Sequence, residues 1–111
     1  MTDGLSLINE MNSLSKRLDE GIQAMGKTGR AFAQAEREYK IALMQESLKL
    51  RDSGMAVTLI DKVVIGMIAD KRFDRDTAEV LWKTSQENVN AIKLQMRILD
   101  SQIAREWGRN E

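Results

Sequence analysis

The chain has 111 residues, with 17 Lys+Arg against 17 Asp+Glu and neither Cys, His nor Pro. One domain fits this length, and the missing residue types exclude disulfides, thiolate metal sites and histidine as ligand or general base. The charge is spread evenly along the chain, which argues against a dedicated electrostatic nucleic-acid binder, and no Pro forbids long helices.

The N-terminal stretch MTDGLSLINEMNSLSKRL lacks a signal-peptide layout, and no apolar run approaches the roughly 20 residues of a membrane span. A cytoplasmic protein without membrane contact is the expectation. From about residue 5 to 52 the apolar residues repeat every seven positions. Met11, Leu18, Met25, Phe32 and Tyr39 form one column, and Leu7, Leu14, Gly21, Thr28, Ala35 and Ala42 its neighbour. Two such columns make one stripe on a helix, the pattern of a coiled-coil seam. Gly21, Gly26 and Gly29 weaken this helix, and a break near 26–29 stays open. Ser53-Gly54 reads as its stop.

Residues 58–70 predict a short helix, with Thr58 as its cap and Leu59, Ile60, Val63, Val64, Met67 and Ile68 on a broad apolar face. An extended entry at 56–60 is also compatible with the Val and Ile content. Residues 74–107 predict the last helix. Trp82, Val89, Met96 and Ile103 form one column there, Ala78, Ser85, Ile92 and Leu99 the second, and Gly108 marks the end.

At ~1.5 Å per residue the first helix would span roughly 70 Å and the last roughly 50 Å. Folding them antiparallel with Asp52 near Arg75 brings Trp107 beside Glu20. Residues 5–19 then project past the end of the last helix. Their stripe of Leu7, Met11, Leu14 and Leu18 would need a second subunit or another protein to cover it, or would fold back on its own chain. The expected fold is therefore all-α: a long antiparallel, coiled-coil-like helical hairpin with a short apolar helix in the connection, a single domain that associates as an oligomeric bundle. The expected interface is Leu7, Met11, Leu14 and Leu18 together with the apolar face of the short helix.

One stretch imitates a catalytic motif. Gly21-Ile22-Gln23-Ala24-Met25-Gly26-Lys27-Thr28 matches the phosphate-binding loop G-x-x-x-x-G-K-[ST]. That loop must follow a buried strand, whereas Ser13–Glu20 is polar and helix-patterned, and the heptad columns pass through the motif. No series of βα units exists to build a parallel sheet. Asp74 with Asp76, and Asp19 with Glu20, read as solvated carboxylates and not as a cation site. Leu48–Ile60 faintly outlines a helix-turn-helix, but only Lys62 and Lys71 lie near for phosphate contacts. No catalytic residue, cofactor or metal is expected.

Glu38-Tyr39-Lys40-Ile41-Ala42-Leu43, Leu50-Arg51, Gly54, Val57-Thr58-Leu59-Ile60, Ala91-Ile92-Lys93-Leu94, Arg97-Ile98-Leu99, Gln102-Ile103 and Glu106-Trp107-Gly108 together carry a resemblance. Over Arg30 to Gly108 the chain resembles a group of small uncharacterised helical proteins of phages and prophages of Gram-positive bacteria. The resemblance implies an accessory role in phage DNA metabolism, inside the bacterial host cytoplasm, and carries over no catalytic residue. The expected function is a non-enzymatic, phage-type interaction protein that binds itself and another protein through helix-bundle contacts. The alternative is an accessory DNA-binding protein of phage replication or recombination, with nucleic acid as the less favoured partner.

Overall fold

The computed structural model describes residues 4–108, which form three helices: α1 (Gly4–Asp52), α2 (Val57–Met67) and α3 (Ala69–Gly108). The described residues contain no strand, so the extended entry at 56–60 is not formed. The fold is all-α, with α1 and α3 packed antiparallel. They contribute to two compact units. One holds the described residues up to Gly26 and from Lys83 on; the other is Lys27–Trp82.

α1 runs without interruption through Gly26 and Gly29. Its end is built by backbone geometry. Gly54 adopts φ +90°, the left-handed region that costs a side-chain-bearing residue about 1 kcal/mol or more. The Gly54 N–H donates to the Arg51 carbonyl and the Met55 N–H to the Leu50 carbonyl, so orphan carbonyls of the last turn are satisfied. The Ser53 hydroxyl adds a 2.6 Å bond to the Leu50 carbonyl.

α2 starts one residue before the predicted boundary. Its N-cap is Ala56, with extended backbone and no side-chain cap bond, so Thr58 lies inside the helix. Only Ile68 separates α2 from α3. The Ile68 N–H donates to the Val64 carbonyl, and the Ile68 carbonyl accepts from the Arg72 N–H. The break is therefore a one-residue kink, and α3 begins five residues earlier than its pattern suggested.

Within the first unit, Leu7, Leu14 and Leu99 form a buried cluster, with Met11, Met96 and Ile103 packed against it. Val89 and Ile92 are also buried, and a Cβ on Gly21 would meet Val89 at 3.3 Å. Within the Lys27–Trp82 unit, Ile60, Val64 and Ile68 are the buried apolar side chains. Gly29 lets the Trp82 ring lie against α1, where Trp82 stacks on Phe32 with ring centroids 5.5 Å apart. Heptad columns face inward in both units because two helices crossing at a shallow angle bury the same stripe every seven residues.

The predicted overhang is corrected. Trp107 lies against Gly4, not Glu20: a Cβ on Gly4 would be 3.4 Å from the Trp107 indole nitrogen. The chain reverses in the short segment Ser53–Ala56, so α2 already belongs to the returning arm. Counting residues 57–68 into that arm carries α3 to the start of α1. Leu7 and Leu14 are thereby covered by their own chain, with only 5% and 7% of their surface exposed.

Candidate interaction surface

The ten side chains expected at an interface separate into two groups. Leu7 and Leu14 are buried in the first unit with Met11 packed against them, and Leu18 is partly buried. Ile60, Val64 and Ile68 are buried in the second unit. Leu59, Val63 and Met67 stay exposed, at successive fourth positions on one flank of α2. The periodicity of α2 does not choose between these flanks, because nearly every side is apolar.

A second stripe on α1 lies outside the heptad columns. Ile41, Met44 and Leu48 lie at spacings of three and four, out of phase with the half-buried Tyr39, Ala42 and Leu50, and all three are exposed. Ala33, Glu36, Arg37, Lys40, Ile41 and Met44 line an open groove of about 460 Å³ on this side. On α3, Phe73 and Val80 are exposed one heptad apart, 69% and 61% respectively, while Arg75, Ala78 and Trp82 turn inward. The signal for both stripes was in the sequence as apolar residues outside the seam.

Charges around these stripes are of both signs and largely paired. Glu36 pairs with Lys40 at 3.5 Å, Glu38 with Lys71 at 3.7 Å, and Glu46 with Lys49 at 3.1 Å. On α3, Asp76 is engaged by Arg75 at 2.9 Å and by Arg72 at 4.0 Å. The Arg75 guanidinium also stands over the Tyr39 ring, 4.3 Å from its centre. Its pKa is raised, chiefly by the hydrogen bond to Asp76, so it stays charged at every pH at which a protein folds. Among the described residues around these stripes, Arg30, Arg37, Arg51 and Asp52 on α1 and Asp70 and Asp74 on α3 have no ion-pair partner.

The phosphate-loop look-alike Gly21–Thr28 is regular helix within α1, with no left-handed glycine. Its backbone N–H groups are spent on helical bonds and cannot cradle a phosphate. Asp74 and Asp76 gather no third acidic ligand, and no group of three or more His, Cys, Asp or Glu that could hold a metal exists among the described residues. None of the described helices is long and apolar enough to cross a membrane. No protein-family model matches the sequence, and neither a curated protein nor a solved structure is similar to it.

Proposed function

We propose that the chain is a non-enzymatic interaction protein of the phage helical type, acting by helix-bundle contacts with itself and with a second protein. The observation that carries this reading is the balance of apolar surface in Lys27–Trp82. Beside three buried aliphatic side chains, this unit exposes Ile41, Met44, Leu48, Leu59, Met67 and Phe73, each more than a third accessible. Single exposed apolar residues are ordinary, but stripes at helical spacing are what helix-in-groove and bundle partners bind. Seven methionines suit such a surface, since the flexible thioether adapts to its neighbour.

The test compares capture from the host cell by the native chain and by a Met44→Glu, Phe73→Glu variant. A stoichiometric partner held by the first and lost by the second, with both equally helical, is the expected result. The same set of bound proteins on both would remove these stripes from the binding surface. The second reading, accessory DNA binding, draws on the exposed row of Lys27, Arg30 and Arg37 along α1. A mobility shift that weakens steeply with salt would favour it, because phosphate contacts release counterions.

A further inference from the structure

We infer that the partner of this surface is an acidic amphipathic helix of another protein, laid along the outer stripe of α1. The inference rests on the reading of the protein as an association module, and adds the chemistry of the occupant. The basis is an outer heptad seam whose two halves differ. Ile41, Met44 and Leu48 form its exposed apolar half. Continued toward the N-terminus at the same spacings of four and three, the seam passes through Arg37, Gln34, Arg30 and Lys27, all exposed. None of these three cations has an acid three or four residues away on α1, and residues 21–35 contain no acid at all. Among the described residues, none of the three takes part in an ion pair. The acids beside the seam already have partners: Glu36 faces Lys40, Glu46 faces Lys49, and Glu38 accepts from both Lys71 and the Gln34 amide. Arg51 and Asp52 close the seam with opposite charges.

A partner that fits both halves carries apolar side chains beside Ile41, Met44 and Leu48, and carboxylates beside Arg37, Arg30 and Lys27. From Lys27 to Leu48 the seam is three heptads long, roughly 30 Å, which one helix of the same length covers. The open groove of about 460 Å³ includes Arg37, Ile41 and Met44, so it lies at the junction of the halves. An apolar side chain of the partner can enter there while a carboxylate one turn away reaches Arg37. A nucleic acid fits less well. Its phosphates would answer the three cations but leave the apolar half without a counterpart. A second copy of the seam also fits less well. Fully overlapped, its cations meet cations when parallel and the apolar side chains when antiparallel, so neither direction satisfies both halves.

The test is fluorescence anisotropy of two labelled peptides of about three heptads, titrated with the full chain. Both carry leucine at the seam positions of one half and glutamate at those of the other. They differ in which half comes first, so both directions of docking are sampled. One of them should bind, and replacing its glutamates by lysine should weaken it about ten-fold or more. Arg30→Glu combined with Arg37→Glu should lose the glutamate peptide and gain the lysine peptide, an exchange that damage to the fold does not produce. Met44→Gln, which adds no charge on a side chain 58% exposed, should weaken binding about ten-fold with unchanged helicity by circular dichroism. Failure of both glutamate peptides to bind overturns the acidic helix as occupant. Binding of a DNA duplex of about 20 base pairs instead, lost with the two Arg→Glu changes and kept in Met44→Gln, would put nucleic acid in its place. Self-association in sedimentation velocity, lost in these same variants, would put a second copy there. A stoichiometric partner captured from the host cell leaves the association reading standing in each case. Neither a captured partner nor self-association would remove that reading as well.

Discussion

Glycines show how much of a residue's role lies outside its local sequence. Gly29 and Gly66 both sit inside helices and would both be read as helix-weakening. A Cβ on Gly29 would meet the Trp82 indole nitrogen at 3.1 Å, on a ring already fixed by its stacking on Phe32. A Cβ on Gly66 would meet nothing within 4 Å. Gly66→Ala is therefore expected to stabilise the chain by about 0.5–1 kcal/mol, through helix propensity alone. Gly29→Val should cost roughly 1–3 kcal/mol, through overpacking and β-branching. Urea midpoints of the two variants should move in opposite directions, and a shift of the same sign would refute the packing assigned to Trp82. The exposed ion pairs belong to this scale as well. Lys71→Ala should change stability by less than about 0.5 kcal/mol, since both partners are near half exposed and solvent screens them.

At the scale of elements, the inward faces of α1 and α3 were legible, although α3 starts five residues before its predicted boundary. A seven-residue period picks out one face of a long helix and leaves the rest polar, so Leu14, Phe32, Val89 and Leu99 could be assigned to the interior without coordinates. α2 was legible only as a helix. With Leu59, Ile60, Val63 and Val64 in succession, the apolar content spans more than one face, and its period has no preferred phase. The structure sends Val64 inward at 1% exposure and leaves Val63 at 39%. Val64→Ala should then cost about 2 kcal/mol by lost burial and cavity formation, and Val63→Ala less than about 0.5 kcal/mol. Equal costs for these adjacent valines in chemical denaturation would mean that α2 is rotated from the orientation described.

The scale of the whole molecule decides what covers the N-terminal stripe. Leu14 packs with Leu7 and Leu99 of its own chain. Leu14→Ala is expected to lower stability by roughly 2–4 kcal/mol, and the loss should not depend on protein concentration. A subunit interface at Leu14 would give a loss that shrinks as concentration rises, because mass action then enters the unfolding equilibrium. The polar side chains of α1 support the intrachain pairing, since heptad positions outside the two columns are mostly charged or polar in its first half.

The sequence by itself determined the fold class, the inward columns of the two long helices and the stop at Gly54. Each of these follows from local geometry: a 3.6-residue turn, a seven-residue repeat and a left-handed dihedral. Only the tertiary structure decided the register of the arms, and with it which apolar residues remain for a partner. Register depends on where the returning arm begins, and that turns on whether residues 57–68 lie inside or outside it. Local pattern cannot discriminate, because the same apolar helix serves equally as a connector or as the first turns of the arm. Its placement buries Leu7 and Leu14 within their own chain and leaves exposed stripes on the outer faces of Lys27–Trp82.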